Sequence, residues 1–190
     1  STGILNPLAE IAAVIKKYPD VVFIVDAVSS LGAVKIEVDK LGIDVCLAGV
    51  QKALGVPPGL SIFSLSKKAI DKAKTVLNRG YYFDFIEMLS YLQKGQTLTT
   101  PPISQIFALD KQMDLILKQG LEKRFQHHEH LALTVRAFAQ KHFALFAEEG
   151  YESPTITVFK NTKNISFTLL NDYLAMKGYE IAPGYGKLKD

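Results

Sequence analysis

Residues 7–18, PLAEIAAVIKKY, carry apolar side chains at 8, 11, 14 and 15, a spacing that gathers them on one face of a helix. Asn6 is the expected N-cap and Pro7 the first helical residue, where a missing N–H costs nothing. Residues 21–25, VVFIV, form an unbroken β-branched and aromatic run. With no polar position in alternation, the run predicts a strand covered on both faces, as in a parallel sheet, ending at Asp26. A second apolar run, 43–48, ends at Gly49, and a third, 60–65, follows the turn-rich GVPPG of 55–59. The stretch 66–78 reads as a helix, 81–94 as helical or irregular, and TLTTPPIS (97–104) as a proline-directed loop. Apolar positions 106, 109, 113, 116 and 117 predict a helix over 103–119. Residues 121–147 predict a long amphipathic helix closed by Gly150.

Beyond Gly150 the pattern changes. Residues 155–159 and 165–169 predict short strands, with a helix around 170–177 and a strand near 179–182 to follow. The expected organisation is an α/β unit with a mostly parallel sheet over 1–110, then part of a small α+β domain over 111–190 that includes the long connecting helix. No internal repeat or low-complexity segment is apparent.

Composition narrows the classes. The chain has 190 residues, enough to bury a sizeable core, and its 48% hydrophobic and 22% charged content is ordinary for a soluble globular protein. A net charge of +3, without a basic block interleaved with aromatics, gives no nucleic-acid signature. A single cysteine, Cys46, excludes an intrachain disulfide, and its place in IDVCLAG predicts a buried structural thiol. No apolar stretch reaches the roughly 18 residues of a membrane helix, and no signal peptide is visible. The cytoplasm, or an organelle matrix, is the expected location.

Two charged residues stand where the runs end. Asp26 follows the first strand-like run, and Lys52 lies three residues past Gly49, 26 positions after Asp26. Ligands of open α/β sheets bind outside the carboxyl ends of strands, so both would open onto that edge. An acid and a lysine there suit pyridoxal phosphate, which needs a lysine for its imine and an acid beside the pyridine nitrogen. On spacing alone, the competing reading is that Asp26 caps a turn and Lys52 is a solvated loop residue. His127, His128 and His130 surround Glu129, but position 132 is Ala, so HExxH fails and a polar helix face is expected rather than a metal site. Ser29 and Ser30 lack a nucleophile-elbow context.

The segments STGILNPL, VDAVSSLGA, GIDVCLAGVQKALGVPPGLSIFSLS and TTPPIS resemble, in order, those of the class V, fold-type I pyridoxal-phosphate-dependent aminotransferases of the alanine–glyoxylate and serine–pyruvate kind. GVQKALGVPPG, matching the family's lysine loop, is the most specific. The resemblance implies transfer of an amino group from a small amino acid (alanine or serine) to a 2-oxo acid (glyoxylate or pyruvate) by a ping-pong mechanism with pyridoxal 5'-phosphate. It makes Lys52 the Schiff-base lysine and general acid/base, and Asp26 the partner of the pyridine nitrogen. By the same resemblance Val28 packs on a ring face, Gln51 reaches the phosphate, and Ser1 approaches the ring's phenolic oxygen. Thr100 would reach the phosphate of a neighbouring subunit, in a homodimer with shared active sites. The sequence departs from the family at Thr97, where an aromatic residue is common. The family's ring-stacking aromatic lies upstream of STG, and its carboxylate-binding arginine just past the stretch matched by GYGKLKD. The chain is therefore expected to be cut at both ends relative to the family and inactive by itself. Rival expectations are another class V enzyme (2-aminoethylphosphonate aminotransferase, kynureninase-like or desulfurase-like) and a non-catalytic module that kept the fold. Cys46 does not suit a desulfurase nucleophile, and retention of Lys52 argues against the module.

Overall fold

A computed structural model describes residues 2–184. The chain forms two compact units, Asn6–His128 and Ser1–Leu5 with Glu129–Asp190.

The larger unit contains α1 (Leu8–Ile15), β1 (Ile24–Asp26), α2 (Val38–Leu41), β2 (Val45–Gly49), β3 (Ser61–Leu65), α3 (Lys67–Lys74), α4 (Phe85–Gln93), α5 (Ile103–Gln119) and the start of α6 (Leu121–His142). The strands form one sheet in the order β1-β2-β3. β1 and β2 are parallel, with Ile24 opposite Val45 and Asp26 opposite Leu47. β2 and β3 are antiparallel, so these three strands form a mixed sheet. Residues 27–44 hold α2 and make the crossover that a parallel pair requires, whereas 50–60 fold back locally, with Val50 N donating to the Leu60 carbonyl at 3.2 Å.

β1 is not covered on both faces. Phe23 and Val25 are buried, but Ile24, between them on the opposite face, is 60% exposed. Full burial belongs to β2, where Val45, Cys46, Ala48 and Gly49 are all buried. The Cys46 thiol sits in the core, and burial pushes its pKa up, which keeps it an inert thiol. Ala12 of α1 joins Phe23, Val25, Ala27, Ile43 and Cys46 in one core cluster. A second cluster, Val50, Leu54, Val56 and Ile116, seats α5 against the loop after β2. At the start of α1 the cap position is held by Pro7, not Asn6; its carbonyl accepts from Ile11 N at 3.1 Å and no side chain caps the helix.

One buried carboxylate ties these layers together. Asp44 accepts from Phe23 N at 2.9 Å, Ser66 Oγ at 2.6 Å and Lys68 Nζ at 2.8 Å. The Ser66 hydroxyl in turn caps α3 by accepting from Ala69 N. Burial opposes the charge on Asp44, but the Lys68 ammonium, the Ser66 hydroxyl and the Phe23 amide outweigh it and hold the carboxyl below the usual carboxylate range. A depressed folded-state pKa means that the stabilisation is fully present above the unfolded pKa of about 3.9 and is lost as pH falls through the folded value. Asp44→Asn is expected to destabilise the larger unit by about 2–3 kcal/mol at pH 7, because charge-assisted bonds are lost around a buried amide donor. Denaturant titrations at pH 7 and pH 3 check this: the gap between variant and parent should narrow at pH 3.

The smaller unit holds the rest of α6, the antiparallel pair β4 (Ala144–Leu145) and β5 (Phe159–Lys160), and α7 (Phe167–Ala175). α6 ends at His142, short of the expected 147. Pairing of Ala144 with Lys160 and Leu145 with Phe159 draws the chain out of the helix, and the Phe143 ring stacks on Phe159 at 4.8 Å. Gly150, the expected helix stop, instead lies in a turn at φ 86. The strand expected at 165–169 is the beginning of α7, because Ser166 Oγ caps a helix by accepting from Leu169 N. The strand expected at 155–159 shrinks to β5, and 179–182 carries no strand. Residues 3–5 belong to this unit through Leu5 N to Tyr151 O and Ser153 N to Gly3 O, both 2.8 Å. Among the described residues no helix is long and apolar enough to cross a membrane.

Candidate active site

β1 and β2 end side by side, and the chain leaves each of them at the same edge. Hydrogen bonding between the two strands stops where Ala27 N donates to the Leu47 carbonyl at 2.8 Å. Asp26, the last residue of β1, is exposed there. Its Oδ1 accepts from Val28 N at 2.9 Å, so the side chain also fixes the first turn after the strand. The turn-capping reading of Asp26 is therefore correct as geometry, and it leaves the carboxylate at the surface of the strand edge.

Gln51 and Lys52 follow β2 on a loop whose two sides are pinned in the core. Val50, Leu54 and Val56 are 0%, 4% and 5% exposed, while Gln51 and Lys52 between them are exposed. Gly55 N donates to the Lys52 carbonyl at 2.9 Å, and Val56 N to the Val50 carbonyl at 3.0 Å. Gly55 lies at φ 70, in the left-handed region that lets the chain make this turn without a Cβ clash. Apolar anchors thus hold the backbone while Lys52 projects from it. The Gln51 amide folds back over Gly49: a Cβ there would stand 2.6 Å from Gln51 Oε1.

The structure thus brings Asp26, Val28, Gln51 and Lys52 to one sheet edge. It does not bring Thr100 to them. Thr100 is exposed on the loop between α4 and α5, where it lines an open concavity with Tyr81, Leu92 and Leu98. Thr97 turns its hydroxyl to the Thr99 carbonyl at 2.6 Å. Ser1 lies outside the described residues. The imidazoles of His127 and His128 are 6.3 Å apart, and burial, then the Arg124 and His127 charges, lower the His128 pKa. Among the described residues no group of three His, Cys, Asp or Glu is placed to hold a metal ion.

Sequence reasoning missed Arg124 in the first turns of α6. Its Nε donates to the Gly32 carbonyl at 2.7 Å, and another guanidinium nitrogen donates to the Ala53 carbonyl. These carbonyls belong to the loops after β1 and β2 respectively.

The family model for aminotransferase class-V matches residues 1–184. An uncharacterized aminotransferase of Methanocaldococcus jannaschii is 39% identical over 98% of this chain and 49% of its own length. The alanine–glyoxylate aminotransferase of Oryctolagus cuniculus is 32% identical over the whole of this chain and 50% of its own. The crystal structure of an alanine–glyoxylate aminotransferase from Nostoc sp. superposes with a TM-score of 0.89 at 27% identity, covering 99% of this chain and 51% of that one. The chain spans about half the length of the curated relatives it matches. A match across nearly every residue, with the same fold in solved relatives, places this chain in the class-V aminotransferase family.

Proposed function

We propose that the whole protein is a pyridoxal 5'-phosphate-dependent aminotransferase that moves an amino group from alanine or serine to glyoxylate or pyruvate in a ping-pong cycle. The observation that carries the reading is the emergence of Asp26 and Lys52 from adjacent parallel strand ends, with Lys52 on a core-anchored loop. The donor set fits the cofactor: one carboxylate, one primary amine and one side-chain amide at a single edge. Named relatives acting on glyoxylate with alanine, serine or ureidoglycine support the acceptor, and the choice of donor rests on the first two.

Bound there, pyridoxal phosphate supplies an electron-withdrawing ring that makes the substrate α-proton labile. Lys52 Nζ would be the amine that holds the cofactor and the general base that takes the proton from the substrate α-carbon. Asp26 would hold a proton on the pyridine nitrogen. Val28 would pack on a ring face and the Gln51 amide would donate to the phosphate. We assign the cofactor to the larger unit, which carries Asp26, Val28, Gln51 and Lys52. The direct test is turnover of alanine with glyoxylate by the full-length protein. Failure to form both pyruvate from alanine with glyoxylate and hydroxypyruvate from serine with glyoxylate or pyruvate would defeat the reading.

Thr100, exposed on its own loop, fits a role toward a second subunit's phosphate in a homodimer. Mixed dimers of Thr100→Ala and Lys52→Ala subunits should carry at most one intact site each and recover part of the parent activity. A fully active monomer by sedimentation would remove the shared-site assignment.

A further inference from the structure

We propose that Arg124 is a positioning residue that sets the spacing between the Asp26 loop and the Lys52 loop; the inference rests on the roles given above to those two residues. Backbone pairing between β1 and β2 ends at Ala27 and Leu47, so past the strand ends no sheet hydrogen bond holds the loops in register. Arg124 supplies the missing tie. One guanidinium donates from Nε to the Gly32 carbonyl, at the end of the turns that Asp26 opens, and from a terminal nitrogen to the carbonyl of Ala53, the residue after Lys52. Its remaining terminal nitrogen donates to Gln119 Oε1 at 3.1 Å, which orients the fork.

The two loops also touch beneath this fork. Gly32 lies at φ 89, a conformation that favours glycine, and a Cβ there would stand 2.8 Å from Leu54 Cδ2, so the two loops are in close contact. The first turn of the helix that carries Arg124 also reaches the segment after that loop through Glu122, whose carboxylate stands 3.8 Å from Lys35 Nζ. A planar guanidinium bonds two carbonyls in a fixed relation, whereas an ammonium is a point donor on a flexible stem. The consequence is specific: loss of the fork should loosen the Lys52 turn relative to Asp26 while leaving both residues and the core anchors in place.

The test uses Arg124→Gln and Arg124→Lys in the full-length protein. In the cofactor-free form, tryptic cleavage after Lys52 should accelerate about tenfold in the Gln variant, as expected when a local opening loses a charge-assisted hydrogen bond. In the cofactor-bound form, the pH midpoint of the visible absorbance band should move and kcat should fall more than KM rises. Arg124→Lys should restore only part of each readout. A purely structural arginine would lower Tm while leaving both the Lys52 nicking rate and the band midpoint at parent values, and that result overturns the inference. If Arg124→Gln fails to fold, the same readouts on Arg124→Lys decide: parent values in both overturn the inference, and intermediate values support it. The proteolysis arm stands without cofactor, so a borohydride label on some other lysine would defeat the function assigned to Lys52 and remain distinguishable from a failure of the tie.

Discussion

Lys52→Ala is expected to abolish covalent attachment of the cofactor in the full-length protein and to cut transamination by at least about 100- to 10,000-fold, the range spanned by general acid–base catalysis alone. The variant should fold like the parent. The loop backbone is held by Val50, Leu54 and Val56 in the core and by hydrogen bonds to the Val50 and Lys52 carbonyls, none of which involves the lysine side chain. An exposed side chain outside such contacts changes stability by about 0.5 kcal/mol or less. Unchanged Tm with lost activity would therefore isolate the amine. Borohydride reduction of the loaded parent, followed by peptide mapping, should place the label on Lys52. A label on any other lysine, or an alanine variant with parent turnover, removes Lys52 from the chemistry.

The edge that carries Lys52 is legible in the sequence because burial writes itself into composition. The runs at 21–25 and 43–48 end at Asp26 and Gly49, and the structure ends β1 and β2 at those residues. Helices α3 and α5 are legible for the same reason, through apolar spacing. Features that depend on backbone partners leave no such trace. Arg124 bonds the carbonyls of Gly32 and Ala53, and any residue supplies a carbonyl, so nothing in its own neighbourhood marks it. The attachment of residues 3–5 to the smaller unit likewise runs through main-chain bonds to Tyr151 and Ser153. At 165–169 a local competition decides. ISFTL alternates like a strand, but Ser166 satisfies a free N–H at a helix start, and its cap wins over the alternation. The direction of β3 was hidden too: 60–65 reads as a strand from its side chains, while its antiparallel pairing follows from how 50–60 closes on itself.

Asp26→Asn is the sharper probe of the carboxylate, since it separates the two things Asp26 does. The oxygen that accepts from Val28 N at 2.9 Å has a counterpart in asparagine, so the turn after β1 should survive. Only the negative charge is lost, and with it the means of holding a proton on the pyridine nitrogen. A neutral pyridine withdraws electrons from the substrate α-carbon less strongly, so the cost should fall on proton abstraction by Lys52 rather than on folding. Cofactor binding is expected to weaken, and kcat to drop by about 100- to 1,000-fold, comparable to the loss of one preorganised electrostatic contact at a reacting centre. Asp26→Ala should add a stability defect, because the cap on Val28 N goes as well. Circular dichroism melts and steady-state kinetics on both variants distinguish the roles. If Asn and Ala variants keep turnover near the parent value and differ only in Tm, Asp26 is a turn cap alone and the electrostatic role assigned to it is wrong.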